Sequence, residues 1–280
     1  MISLFVRWDV DPELFRVGAF PLFYYSILFG LGFFLAYQVF VRLRGFPTIS
    51  PESIDTLLGL IIAGAIIGAR LGHCLFYDWA YFSQHPTEIF LPWKGAFFGA
   101  DFEWIGYRGL ASHGGGAGAI LAIYAFAKWK RIDFLGLLDR MAIVVPLAGA
   151  CIRVGNLLNS EILGRPTEAP WAFVFARVDE VPRHPAQLYE AFGYLLVFAV
   201  VYGVYRAKQW QLAPGAFFGL FLVLLFMVRF AVEFVKEDQV AFERGMALNM
   251  GQWLSLPYMA VGLGLLAWAL WRKKKSPSVG

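Results

Sequence analysis

Arg153, Asn156, Asn159 and Glu161 lie close together inside one stretch, Gly149 to Gly164. The residues just before it, Met141 to Ala150, are apolar enough to sit in lipid. An ionisable group at membrane depth costs about 2.5–3.5 kcal/mol on insertion scales, so a cation and an anion there mark a functional site. A guanidinium offers planar, paired donors that suit an anion such as phosphate. If the segment is helical, Arg153 and Asn156 share a face, being three residues apart. Pro146, Gly149 and Gly155 argue against an unbroken helix. Irregular backbone in a membrane is tolerated only around protein or a water-filled cavity. The expectation is a broken helix lining a polar pocket.

Arg229 and Glu233 form a second set, four apart on one helix face. They are either a neutralised structural pair or an arginine oriented by a carboxylate toward an anion. Two guanidiniums near one membrane face suggest a phosphate clamp, and in a membrane the plentiful phosphate belongs to lipid headgroups. His113 sits in Arg108-Gly-Leu-Ala-Ser-His113-Gly-Gly-Gly116, where the glycines allow close backbone approach. It is either a structural hydrogen-bonder or a base able to take a thiol proton near pH 7. Tyr25 belongs to an aromatic girdle and is either a belt residue or part of the site. His184-Pro-Ala-Gln187-Leu-Tyr-Glu190 reads as a helix start with interfacial anchors, and His73 and His85 as structural. Cys74 and Cys151 lie in apolar stretches and read as buried, inert thiols.

The elements that must position these residues are membrane spans. The chain has 280 residues, 59% of them hydrophobic and 18% aromatic, a composition far from that of a soluble domain. Its charge of +4 does not point to nucleic acid, because the basic residues fall in short loops between apolar runs. No cluster has zinc spacing, and the N-terminus has no cleavable secretory signal. Seven apolar runs follow one another: Pro21 to Val41, Ser53 to Phe76, Gly109 to Ala127, Phe134 to Ala150, Ala186 to Tyr205, Pro214 to Val235 and Gly251 to Trp271. The second carries a face of Gly and Ala that lets helices approach closely. The fold expected is an all-α polytopic membrane protein, one domain over residues 1–280. It has about seven spans, an outer loop over 77–108 with an interfacial segment, and a small extracytoplasmic cap over 160–185. Loops with Arg42/Arg44, Lys128/Lys130/Arg131, Arg206/Lys208 and Arg272 to Lys275 should be cytoplasmic, which puts the N-terminus outside and the C-terminus inside. Tyr25, His113, Arg153, Asn156, Arg229 and Glu233 then gather at the outer ends of four spans.

Arg153-x-Gly155-Asn156-x-x-Asn159-x-Glu161-x-x-Gly164 resembles the signature of the bacterial prolipoprotein diacylglyceryl transferases. The run around His113, His184-Pro-x-Gln187-x-Tyr189-Glu190, Arg229-x-x-x-Glu233 and Gly251-Gln252-x-x-Ser255 resemble further blocks of that family in the same order. The likeness runs from about Tyr25 to Pro257, with residues 97–107 as an insertion. It implies a seven-span enzyme of the bacterial inner membrane. Such an enzyme moves the diacylglyceryl group of phosphatidylglycerol onto the lipobox cysteine of a prolipoprotein signal peptide and releases glycerol phosphate, with no cofactor and no metal. His113 would be the base and Tyr25 would position it or the substrate. Arg153 and Arg229 would stabilise the leaving phosphate. Asn156 would bond the headgroup, Glu161 and Glu233 would orient the guanidiniums, and Gly114 and Gly164 would give backbone room at the substrate. The rival class is a phospholipid flippase or anion transporter, which would use the same arginines without breaking a bond. An intramembrane protease would need a paired aspartate or a Ser/His dyad within the spans, and none is evident.

Overall fold

The computed structural model describes residues 5–18, 20–43, 49–91, 93–94, 99, 102–104, 111–237 and 246–275. In chain order they form β1 (Val6–Trp8), β2 (Glu13–Val17), β3 (Phe20–Phe23), α1 (Tyr24–Arg42), α2 (Pro51–Phe76), α3 (Trp79–Phe82), a 3-10 turn (Pro86–Ile89), β4 (Trp93–Lys94), β5 (Glu103–Trp104), α4 (Ser112–Lys130), α5 (Phe134–Leu158), β6 (Phe173–Phe175), β7 (Pro182–Arg183), α6 (Ala186–Lys208), α7 (Ala216–Glu233) and α8 (Met250–Lys275). Among the described residues six helices are long and apolar enough to cross a bilayer: α1, α2, α5, α6, α7 and α8. The third apolar run forms α4, a helix of 19 residues that is not among the six. It opens on Ser-His-Gly-Gly-Gly and closes on Lys-Trp-Lys, so its apolar stretch is short.

The broken helix expected around Gly149 is not what forms. Instead, α5 runs without interruption through Pro146, Gly149 and Gly155 to Leu158. The glycines serve contact rather than a break. A Cβ on Gly149 would lie 3.1 Å from the Tyr194 ring, and one on Gly155 would lie 2.8 Å from the Tyr25 ring. Pro146 is fully buried, and its ring removes one backbone hydrogen bond without ending the helix. The break comes later, where Ser160 and Ile162 take left-handed φ values of 54° and 57°.

Two compact units divide the chain, residues 47–137 and residues 1–46 with 138–280. In the first, α2 packs on α4 through small residues, as the Gly/Ala face predicts. A Cβ on Gly68 would sit 2.3 Å from the Gly114 carbonyl oxygen. The Ala111 amide also donates to the Ala69 carbonyl across 2.9 Å. Buried Arg70 donates to the carbonyls of Glu88 (2.7 Å) and Ile89 (3.0 Å) and covers the Phe82 ring, fixing the 3-10 turn against α2. Most of the insertion at 97–107 falls outside the described residues.

In the second unit a three-stranded sheet forms the head. β1 pairs parallel with β6, and β6 antiparallel with β7. Its core is Leu157, Leu163 and Phe175, with Trp8 packed against them. The Trp8 indole donates to the Leu157 carbonyl at 3.0 Å, tying the N-terminal strand to the end of α5. The chain leaving α7 crosses the head at Gly164. Arg165 donates from its amide to the Val235 carbonyl (2.8 Å), and Glu237 to that of Leu163 (3.1 Å). Arg183 pairs with Asp179 (2.6 Å) and Glu237 (3.2 Å). The Arg183 guanidinium holds the Asp179 carboxyl below its ordinary value. At the other end of α7, buried Asp139 of α5 accepts from the amides of Gly215 (2.8 Å) and Phe218 (2.7 Å). A carboxylate at a helix N-terminus satisfies orphan amides and favours the helix dipole, so α7 is fixed against α5.

Candidate functional site

The last turns of α5 carry Arg153 and Asn156 on one face, as their spacing predicts. Arg153 Nη1 donates to Asn156 Oδ1 at 3.3 Å. Asn156 Nδ2 passes the contact to Glu161 Oε2 at 3.1 Å, and Asn159 Nδ2 donates to Glu161 Oε1 at 2.9 Å. The left-handed residues Ser160 and Ile162 make this return possible by folding Glu161 back over the helix end. Each such non-glycine residue costs on the order of 1 kcal/mol, and strain of that kind collects at functional sites. Buried Gln187 of α6 donates its amide to the Glu161 carbonyl and fixes the same turn.

Arg153 Nε lies 2.8 Å from Glu190 Oε2, and its guanidinium carbon is 6.0 Å from the centre of the Tyr194 ring. Arg229, on α7, donates to the Tyr194 hydroxyl through a long hydrogen bond of 3.4 Å. Both arginines therefore reach the same tyrosine. Among the described residues Arg229 has no carboxylate within 4.0 Å. Glu233, one turn further on, is engaged elsewhere. Its Oε1 accepts from Lys236 Nζ at 2.8 Å and its Oε2 from Asn249 Nδ2 at 3.1 Å. Lys236 Nζ also donates to Glu190 Oε1 at 3.1 Å. Arg153, Glu190, Lys236 and Glu233 thus form a chain of alternating charge, and all but Arg153 are more than nine-tenths buried.

Asn249 caps α8. Its Oδ1 accepts from the Gln252 amide (2.9 Å), while Gln252 Oε1 accepts from the Asn249 amide (3.0 Å). This reciprocal capping box anchors the residue that holds Glu233. Gly164 lies where the head and the end of α7 cross. A Cβ there would be 2.3 Å from the His184 carbonyl oxygen and 2.9 Å from that of Val235. Tyr25, at the start of α1, faces Gly155 and helps line a cleft of about 330 Å³ with Pro12, Phe23, Ser26, Asn159 and Glu161.

One unit thus brings together Tyr25, Arg153, Asn156, Glu161, Gly164, Arg229 and Glu233. His113 and Gly114 belong to the other unit. The backbone places His113 in the first turn of α4, and its side chain lies outside the described residues. Gly114 is engaged in helix packing, where an added Cβ would collide with the Gly68 carbonyl oxygen. The expected pairing of Glu161 with a guanidinium is indirect and runs through Asn156. Four residues of the site escape sequence reading: Glu190, Tyr194, Lys236 and Asn249. Glu190 stands in a recognisable motif, and Asn249-x-x-Gln252 is a legible capping signal. Lys236 reads as one more charge in a polar exit, and Tyr194 as one aromatic among many.

The fold and site define a multi-pass helical membrane protein with a buried arginine–carboxylate network and a small three-stranded β-sheet. A family model described as "Prolipoprotein diacylglyceryl transferase" matches residues 12–268. The chain belongs to the prolipoprotein diacylglyceryl transferase family. A protein of Bacteroides fragilis named phosphatidylglycerol–prolipoprotein diacylglyceryl transferase is 43% identical over 275 residues, covering 98% of each chain. Proteins of the same name are 41% identical in Tolumonas auensis, over 92% of this chain and 95% of that one, and 37% identical in Chloroherpeton thalassium, over 94% of both.

Proposed function

We propose that this chain transfers the diacylglyceryl group of phosphatidylglycerol to the lipobox cysteine of prolipoproteins. The relatives' shared name supports the reaction. The observation that carries it at the site is Arg229, a half-buried guanidinium without a carboxylate partner among the described residues, one tyrosine away from Arg153. A half-buried cation with no ion pair of its own is stabilised by meeting an anion, and a lipid phosphate supplies one.

The substrate's sulfur attacks the glycerol carbon that bears the phosphate ester. A carbon–sulfur bond forms as the carbon–oxygen bond breaks, and the electron pair leaves on glycerol phosphate. A thiol of pKa about 8.5 is mostly protonated at pH 7, so a base must take its proton. We assign that role to His113. Arg153 and Arg229 stabilise the charge that grows on the leaving phosphate, and such preorganised electrostatics is commonly the largest catalytic contribution. Asn156 bonds the headgroup, Glu161 holds Asn156 in place, and Tyr25 positions the lipid at the cleft. Gly164, Glu233 and Gly114 keep the surrounding backbone and charges in register. Every bond made or broken is accounted for without redox chemistry or a carrier.

The asymmetry of Lys and Arg between loops supports an orientation with the head and the N-terminus outside the bacterial inner membrane and the C-terminus in the cytoplasm. In this arrangement α4 is the seventh span, and the head over 160–185 caps the site. The test is transfer of label from phosphatidylglycerol to a lipobox peptide by the purified chain in nanodiscs. A thioether product is expected. Lipid binding or movement across the bilayer without that product overturns the assignment.

A further inference from the structure

We infer that Glu190 is a positioning residue for the transfer, acting through Arg153. The inference rests on the reading of Arg153 as a phosphate-stabilising group. Glu190 is fully buried on α6 and has a cation on each oxygen. Its Oε2 lies 2.8 Å from Arg153 Nε, and its Oε1 accepts from Lys236 Nζ at 3.1 Å. Lys236 in turn is held by Glu233, which Asn249 grips from the start of α8. The carboxylate is therefore met from behind by a lysine that Glu233, itself gripped by Asn249, also holds. It meets Arg153 at Nε, the edge of the guanidinium nearest the backbone.

That choice of edge matters. The ion pair beside Nε and the Nη1 hydrogen bond to Asn156 hold the guanidinium from two sides, and among the described residues Nη2 makes no hydrogen bond to the protein. A planar fork is useful to a phosphate only when its plane is set, because its donors diverge in fixed directions. The alternating charges of Arg153, Glu190, Lys236 and Glu233 sum to zero, so the network can be buried before any lipid arrives. Arg229 stays outside this balance, and it carries the charge that a phosphate would neutralise.

The test compares Glu190→Gln and Glu190→Asp in the purified full chain, with the same nanodisc transfer assay and with thermal unfolding measured in parallel. Gln keeps the shape and removes the charge, while Asp keeps the charge and withdraws the carboxylate by one methylene. If Glu190 positions Arg153, both lower kcat per folded molecule by about 30-fold and leave KM for phosphatidylglycerol within about threefold. A merely neutralising role would leave Glu190→Asp near the wild-type rate, and a merely structural role would lower the folded fraction and leave kcat per folded molecule unchanged. Either result overturns the inference. As a second readout, Arg153→Lys is combined with each Glu190 variant. The double variants should be no more than about threefold slower than Arg153→Lys alone, since the carboxylate then has no guanidinium to aim. Multiplying effects would overturn the inference. A wild-type chain that transfers nothing sinks the proposed function itself. Normal transfer by both Glu190 variants sinks only the role of Glu190.

Discussion

Arg153 and Arg229 come from different helices and converge on one tyrosine: Arg153 stands 6.0 Å from the centre of the Tyr194 ring, and Arg229 bonds its hydroxyl at 3.4 Å. Their electrostatic positions differ. Arg153 is matched by Glu190, whereas Arg229 has no carboxylate within reach among the described residues. Variants at the two positions should therefore separate stability from catalysis.

Arg229→Ala removes a cation that forms no ion pair within 4.0 Å among the described residues. The protein should unfold at the wild-type temperature or slightly above it, while transfer falls by at least about 100-fold. Arg153→Ala should lose transfer to the same degree and also stability, on the order of 3 kcal/mol, because Glu190 keeps only Lys236. Thermal unfolding beside the transfer assay checks both. Near-normal transfer by either variant removes the phosphate clamp.

Tyr194→Phe keeps the ring that fills the space beside Gly149 and deletes the acceptor for Arg229. Losing one hydrogen bond to a charged group should cost about 1.5–3 kcal/mol at most. We expect about a tenfold fall in kcat/KM with little change in unfolding temperature.

Gly164→Ala would drive a Cβ to 2.3 Å from the His184 carbonyl oxygen, a backbone atom that cannot rotate aside. The crossing between head and α7 exit should open at a cost of about 2–4 kcal/mol. Faster proteolysis within residues 160–185 would report it. A variant with wild-type protease resistance would contradict the packing described.

The head should lose stability in acid. Asp179 is held below its ordinary value, first by its hydrogen bond from Arg183 and further by the Val181 amide. A lowered carboxylate contributes its full stabilisation above the unfolded value, near 3.8, and loses it as the pH falls from there through the folded value. Asp179→Asn should lower head stability at pH 7 and flatten its acid limb below about pH 4. Hydrogen exchange of the β6 and β7 amides across that range measures the difference.

His113→Gln removes the proposed base and keeps a side chain of similar polarity. Transfer should drop most below pH 8, where the substrate thiol is mostly protonated, and recover in part as the pH approaches 9. An unchanged rate from pH 6 to 9 would mean that another group, or none, takes the proton.

Composition and hydropathy were enough to place six of the spans, because a membrane helix must be long, apolar and internally hydrogen-bonded wherever it packs. The Gly/Ala face of α2 was equally legible, since close helix approach needs small residues whatever the partner. Arg153, Asn156, Glu161 and Arg229 stood out for a related reason: polar groups among apolar ones are costly, so they advertise themselves. Continuity of α5 was not legible. Pro146, Gly149 and Gly155 have the same local signature whether they break a helix or admit a neighbouring ring, and only the Tyr25 and Tyr194 rings decide between the two.

Pairing was likewise decided in three dimensions. Spacing favoured Glu233 for Arg229, four residues away, yet Lys236 and Asn249 take Glu233, and Glu190 on another helix takes Arg153. Local sequence sets which charges a membrane protein must bury, since each residue carries its own desolvation cost. The tertiary fold alone sets which opposite charge answers each of them, because that depends on which helix faces lie within about 4 Å of one another.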